Sequence, residues 1–207
     1  VSYTSQGPER DYFLDVMIPT AKTSFQQSND LEVGVGVRDV TPDLSKYDTW
    51  VDKDGNAQFD PDIDSYEDRN QNGTFDFVWM AGFNEKRPAQ GINDPMWSRA
   101  LAFKNHGTLV VMVSIDSIGM TYDQFIPIRQ RLAKSHPEIT HVTFASTHTH
   151  QAPDTIGLWS YNPLFDYRFD HQYVTFIQEE IYQSVVEAVQ SLEPADTILA
   201  EAYVPRE

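Results

Sequence analysis

The chain has 207 residues, of which 15 are basic and 31 acidic, so its formal net charge is −16. This negative charge repels phosphate, which argues against a general nucleic-acid binder and against a binder of anionic membranes. The absence of cysteine excludes thiolate nucleophiles, cysteine-based zinc sites and disulfide scaffolds. With 40% hydrophobic residues, the chain has enough apolar side chains to fold, and it contains no run of about 18 apolar residues that would span a membrane.

The N-terminal half contains one clear strand and a long acidic stretch. Residues 1–30 have no sustained hydrophobic period, and we interpret them as a surface arm that precedes one α/β domain over residues 31–207. Alternation of apolar with small or polar residues predicts a strand over 31–38. The stretch 39–76 is rich in Asp, Asn and Gly, which predicts a loop, with an insertion at 48–77.

The C-terminal half predicts a βαβ unit and a second helix. The β-branched run 109–115 is typical of a strand covered on both faces. A helix with Pro127 near its first turn leads from it to a strand over 140–147, and this order predicts a parallel pair. Asp170 is the expected N-cap of the next helix, and a last strand is predicted over 197–204. The fold class is therefore α/β, a mixed sheet with a βαβ unit flanked by helices and a long inserted loop.

Two loops within the insertion, 52–60 and 68–76, share one pattern offset by 16 residues. Oxygen-bearing side chains stand at loop positions 1, 3, 5 and 9 in both copies, and position 7 would add a backbone carbonyl, which together suit the oxygen shell of Ca²⁺. Neither loop has Glu at position 12, so Asp64 or Glu67 is expected to supply the missing carboxylate. The predicted calcium ligands are Asp52, Asp54, Asn56, Gln58, Asp60 and Asp64 for the first loop, and Asp68, Asn70, Asn72, Thr74 and Asp76 for the second.

A solvated acidic linker is the alternative interpretation of this region. Eight acidic residues between Asp52 and Asp76 would repel one another unless a cation neutralised them, and a linker has no reason to repeat Asx at fixed positions. The loops resemble those of dockerin or thrombospondin-type repeats, and we assign them a structural role. Weak calcium sites fill at millimolar extracellular calcium, which favours a secreted, extracellular or periplasmic protein.

A pair of histidines, His148 and His150, follows the strand predicted over 140–147. On an extended backbone, residues two apart point to the same side, so both imidazoles are expected to converge at the carboxyl end of the sheet. Asp116, at the end of the neighbouring strand, is placed to orient a ligating imidazole. The pair predicts a zinc ligand, but neutral imidazoles can also cap a sheet end by hydrogen bonding without a metal.

Five segments of the sequence, spread between residues 31 and 153, resemble in order the N-terminal part of the neutral/alkaline non-lysosomal ceramidases. These enzymes are zinc-dependent amidases that cleave ceramide into sphingosine and a fatty acid. The segments are 35–42, 80–83, 97–100, 113–120 and 147–150.

The resemblance implies roles for three residues. His148 would be a zinc ligand, and His150 a catalytic group near the bound water and the scissile amide. Gly82 matches a glycine that lines the family's active site, with Phe83 in place of a tyrosine. Zinc would polarise the amide carbonyl and lower the pKa of its water, while a neighbouring histidine can pass a proton to the leaving amine.

The sequence also departs from the family, because Gln151-Ala152-Pro153 replaces Ser-Gly-Pro. The family's other zinc ligands and its active-site serine lie further along the polypeptide than this chain extends. One hypothesis is therefore the N-terminal portion of a secreted zinc amidase with structural calcium loops. It would be completed by the remainder of a longer polypeptide or by a companion chain, and it would act on a lipid amide. The other is a calcium-stabilised extracellular structural or assembly module without catalysis. A homo-oligomer is left open by both.

Overall fold

The computed structural model describes residues 30–159 and 169–196. Within these ranges, a five-stranded mixed sheet has the strand order β6-β5-β4-β1-β7, and β2 and β3 form a separate two-stranded sheet. None of the helices in the described part of the chain is both long and apolar enough to cross a membrane. The elements are β1 (Glu32–Asp39), a 3-10 helix (Leu44–Lys46), β2 (Thr49–Val51), β3 (Ser65–Glu67), β4 (Trp97–Asn105), β5 (Thr108–Ile115), α1 (Tyr122–Ser135), β6 (His141–Ser146), α2 (His171–Gln190) and β7 (Glu193–Pro194).

The predicted fold class, α/β with a mixed sheet and a βαβ unit, is confirmed. Strands β5 and β6 run parallel and are joined by α1, while β1 pairs antiparallel with β4, and β4 with β5. The strand predicted over 31–38 is β1, and the one predicted over 140–147 is β6, which ends at Ser146. The strand predicted over 197–204 and residues 1–29 of the predicted arm lie outside the described residues.

Both helices cover the same face of the large sheet, and the core lies between. Val111 and Val142 of the sheet pack in one cluster with Ile128 of α1 and Ile177 of α2. Helix α2 crosses β1 closely, because a Cβ at Gly36 would overlap the Ser184 carbonyl. The helices therefore lie on one side of the sheet. The loops that follow the parallel strands β5 and β6 lie together at one edge of it.

Pro127 lies near the first turn of α1, as predicted, and is the sixth residue of the helix. The helix continues past it without the hydrogen bond that residue 127 would donate to the carbonyl of residue 123. Another local prediction differs from the structure. The region 39–76 is more than a loop, since β2 and β3 pair around Trp50 and Tyr66. That hairpin carries one acidic loop at each of its two ends, which brings the loops onto a common scaffold.

Candidate functional site

His148 lies beyond the end of β6 in a left-handed turn, with φ of 59°. Its Nδ1 is 2.7 Å from the carbonyl oxygen of Ile118, so Nδ1 carries the proton and Nε2 keeps a lone pair. The prediction of an extended backbone at this residue was wrong, yet the rings of His148 and His150 are still adjacent, with centroids 5.2 Å apart. The turn therefore brings the two imidazoles together.

Asp116 reaches this edge of the sheet but does not orient His148. Its Oδ2 accepts hydrogen bonds from the backbone N–H of Trp97 and from Nη1 of Arg99, both at 3.0 Å. The group that fixes the His148 ring is instead the Ile118 carbonyl in the loop after β5. A backbone carbonyl leaves no signal in the sequence, which is why the residue pattern pointed to the carboxylate.

The absence of a side chain at Gly82 leaves room for the His150 ring. Gly82 has a φ of 74°, a left-handed conformation that favours glycine, and a Cβ there would overlap the ring of His150. Phe83 meets the same ring edge-on, with centroids 5.2 Å apart and planes at 68°. The structure thus brings His148, His150 and Gly82 together, the three residues that the family resemblance singled out.

Arg87 fixes the turn that contains Gly82, a role the sequence did not suggest. Its Nη2 donates to the carbonyl oxygens of Ala81 and Gly82, each at 2.8 Å, and its guanidinium lies over the Phe83 ring at 5.5 Å from the centroid. The backbone N–H of Ala81 also donates to the Ala152 carbonyl, which joins this turn to the segment after His150.

The first acidic loop gathers three carboxylates. Oxygens of Asp52, Asp54 and Asp64 lie within 4.8 Å of one another, close enough to share a cation. Desolvation raises the pKa of Asp52, but hydrogen bonds from backbone N–H groups, led by that of Ala57, outweigh it and hold the pKa below its usual value. Asp64 and Glu67 are the two candidates for the missing carboxylate. The geometry favours Asp64, because it belongs to this group, whereas Glu67 accepts a hydrogen bond from the Thr49 hydroxyl in β2.

Other predicted ligands in the first loop bond to the loop itself. The side-chain amide of Asn56 donates to Asp54, and its carbonyl accepts from the backbone N–H of Gln58. Asp60 accepts from the N–H of Asp62 and is not among the three clustered carboxylates.

The second acidic loop is arranged around Asp76. The side-chain amides of Asn70 and Asn72 both donate to Oδ2 of Asp76, at 2.7 and 2.6 Å. Asp68 accepts from the backbone N–H groups of Asn72 and Gly73, and the Thr74 hydroxyl donates to Asn72. This loop contains fewer carboxylates than the first, so the oxygen atoms that it offers to a cation carry less negative charge.

Asp48 is a member of this site that the sequence analysis missed. Its carboxylate, only 5% exposed, accepts from the backbone N–H groups of Arg69 and Asp76 in the second loop. Asp64, 8% exposed, accepts likewise from Lys53 and Asp60 in the first. The signal was available, because Asp48 and Asp64 are separated by the same 16 residues as the two loops.

Phenylalanines from the two loops pack against each other. The rings of Phe59 and Phe75, one from each loop, stack with centroids 3.8 Å apart, and Trp50 of β2 meets Phe59 edge-on. Phe59 is buried, as expected for a residue that anchors its loop. The two loops therefore share a small apolar core of their own.

The histidine pair offers one metal ligand rather than a complete site. With its Nδ1 proton bound to Ile118, His148 presents the Nε2 lone pair that zinc requires. Within residues 30–159 and 169–196, only one group of three His, Asp or Glu side chains is close enough together to hold a metal ion. It consists of Asp52, Asp54 and Asp64. The chemistry of His148 therefore fits zinc, and no group of three such side chains forms around it within the described residues.

The sequence matches no protein-family model, and no curated protein sequence matches it. Among the solved structures that share its fold are two ceramidase structures. One is a ceramidase complexed with C2, with 21% identity and a TM-score of 0.55; the other is the neutral ceramidase from Pseudomonas aeruginosa, with 20% identity and a TM-score of 0.54. Each match covers 79% of this chain but only 22% of the solved chain. The chain therefore has a ceramidase-like fold and spans about a fifth of the length of these proteins.

Proposed function

We propose that this chain is the part of a secreted zinc-dependent amidase that carries His148 and His150, and that the complete enzyme hydrolyses an N-acyl amide such as ceramide. The observation that carries the proposal is the bond between His148 Nδ1 and the Ile118 carbonyl, because it leaves Nε2 available at the end of β6. The adjacent His150 ring, held against Gly82, adds a group that can transfer a proton.

Each residue has a separate task in this proposal. His148 Nε2 would be one ligand of zinc, which when bound supplies an activated water and polarises the amide carbonyl. His150 would donate a proton to the amine nitrogen as the carbon–nitrogen bond breaks. Gly82 leaves room for the His150 ring, and Phe83 packs edge-on against it. The remaining zinc ligands would come from the rest of a longer polypeptide or from a companion chain.

The test uses the polypeptide encoded by the complete reading frame. Purified wild-type protein should contain stoichiometric zinc by elemental analysis and release fatty acid from a short-chain N-acylsphingosine. His148→Ala should reduce both to about one hundredth or less, since a metal ligand is lost, whereas the exposed control His171→Ala should keep both. Full zinc content and activity in His148→Ala would refute the assignment.

We also propose that both acidic loops bind calcium as structural sites, with Asp52, Asp54 and Asp64 as the carboxylates of the first. Three clustered carboxylates repel one another without a cation, and an extracellular location would keep weak sites filled. Calorimetric titration of chelator-treated protein should show two sites, and Asp54→Asn should weaken one of them. Asp62→Asn, a control with the same charge change at an exposed residue, should leave both unchanged.

A calcium-stabilised assembly module without catalysis is the second candidate. It is supported by the shared scaffold of the two loops and by the lack, within the described residues, of a group of three metal ligands that includes a histidine. This candidate predicts two calcium ions, no zinc and no amide hydrolysis in the complete polypeptide. Zinc analysis therefore separates the two candidates before any substrate is tried.

A further inference from the structure

The outer face of the five-stranded sheet, opposite the two helices, carries rows of apolar side chains. Residues on this face alternate with the buried residues that pack against α1 and α2, so their side chains point away from the helices. The strand register aligns two such rows across β1, β4 and β5: Val35, Leu101 and Met112 in one, and Val33, Phe103 and Val110 in the next.

This apolar face is open to solvent in the described part of the chain. Val35 is 54% exposed, Val37 42% and Met112 55%. Arg99, paired across the strands with Val37, has its charge bound to Asp116 at 3.0 Å. A second charged residue, Glu193, borders the patch at its edge beside Val33. A contiguous apolar patch with charges only at its border is typical of a surface that another layer of protein covers.

We propose that this outer face is the docking surface for a second β-sheet, supplied by the remainder of a longer polypeptide. The length of chain outside the match argues for this partner, since the solved proteins with this fold extend far beyond the 22% that this chain spans. Facing sheets pack about 10 Å apart with their side chains interdigitated. Rows that mix Val, Leu, Met and Phe at regular strand spacing offer the ridges and gaps that such packing uses.

Two other occupants suit the face less well. An anionic lipid surface would be repelled by a chain with a formal net charge of −16, and Arg99, being paired with Asp116, adds little attraction to lipid phosphate. A second copy would bring two such charges together, which opposes association. A sheet with an apolar, uncharged face, supplied by the same polypeptide, would meet neither obstacle.

The lack of cysteine allows a direct test on the polypeptide encoded by the complete reading frame. Val35→Cys and Met112→Cys would each be labelled with a thiol reagent, with Ala133→Cys on the exposed side of α1 as control. We expect the two face cysteines to react on the order of 100-fold more slowly than the control in the native protein. All three should react alike in urea.

A readout without substitutions guards against a variant that fails to fold. Oxidation of Met112 by hydrogen peroxide in the wild-type protein, followed by peptide mass spectrometry, should be slow in the native state and fast in urea. Native rates equal to those in urea, at Met112 and at both cysteines, would overturn the proposal. So would protection that is lost on dilution to a monomer, which indicates a second copy, or that requires phosphatidylcholine vesicles, which indicates a lipid surface.

Discussion

Asp48 and Asp64 make equivalent hydrogen bonds, but each to the loop that follows the other. Asp64 precedes the second loop in the chain yet holds the first through Lys53 and Asp60 at 2.9 and 2.8 Å. Asp48 precedes the first loop in the chain yet holds the second, through the backbone N–H groups of Arg69 and Asp76 at 2.9 and 2.8 Å. In each loop the two donors are the second and the ninth residue. This exchange follows from the β2–β3 hairpin, which places the start of each repeat beside the loop of the other. The two loops are therefore one structural unit.

Asp64→Asn should lower the free energy of unfolding by about 1–3 kcal/mol, because a buried carboxylate that accepts two backbone N–H bonds is replaced by a group with one acceptor oxygen. Asp48→Asn should have a similar effect. The exposed Asp62→Asn, with the same loss of charge, should change stability by less than about 0.5 kcal/mol. Urea unfolding in excess calcium measures all three.

The exchanged hydrogen bonds also predict that substitutions at Asp48 and Asp64 have coupled effects on the free energy of unfolding. If the loops form one unit, the double variant Asp48→Asn/Asp64→Asn should be less destabilised than the sum of the single variants, because each change already loosens the hairpin that both loops share. Strict additivity of the two free energies would mean that each loop is held independently.

Gly82→Ala should displace the His150 ring, because the new Cβ would overlap it, and the left-handed backbone adds roughly 1–2 kcal/mol of strain. If His150 is the proton donor of an amidase, kcat in the complete polypeptide should fall by at least about tenfold while zinc stays bound. Gly119→Ala is the matched control, since its Cβ would meet open space and its φ is not left-handed. Unchanged kcat in Gly82→Ala, measured beside the control, would separate His150 from the chemistry.

The sequence predicted those parts of the molecule whose signal is local. Residue patterns and connection length predicted the strand β5, the parallel β5–β6 pair and the N-cap Asp170 of α2, whose carboxylate accepts from Gln172 and Tyr173. The prediction that β5 is covered on both faces was wrong for the described residues, because Met112 on its outer face is 55% exposed. The family resemblance singled out His148, His150 and Gly82 as residues of one site.

What the sequence did not predict depends on the backbone or on distant contacts. The left-handed turn at His148 and the Ile118 carbonyl that binds its ring have no side-chain signature. Arg87 acts on carbonyl oxygens of the Gly82 turn, so only the folded turn identifies it. Asp48 lay just outside the segment 52–76 in which the repeat was recognised, and extending the 16-residue offset upstream would have included it.

Arg87→Met should loosen the turn at Gly82 by removing two hydrogen bonds to its carbonyl oxygens, and Arg87→Lys should recover part of the effect. In the proposed enzyme, kcat is expected to fall by about tenfold with little change in KM, since bonds to a charged donor contribute about 1.5–3 kcal/mol. The imidazole resonances of His150 should shift in NMR spectra of the same variant. Arg38→Met removes a guanidinium that is paired with Glu180 of α2 rather than with the Gly82 turn, so it serves as control. Unaltered His150 resonances in Arg87→Met would show that Arg87 does not position the ring.

His141 on β6 should make stability depend on pH near neutrality. Desolvation, followed by the positive charge of Arg129, lowers the pKa of the His141 ring, so below the unfolded value of about 6.5 the unfolded chain binds more protons than the folded one. Stability is therefore full above about pH 6.5 and declines as the pH falls through the lower folded pKa. His141→Gln should remove this contribution, so the melting temperature of the wild type should drop more than that of the variant between about pH 7.5 and pH 5. Because the ring is only partly buried, the difference should be small. Parallel pH profiles for the two proteins would mean that the folded state binds this proton as readily as the unfolded chain does.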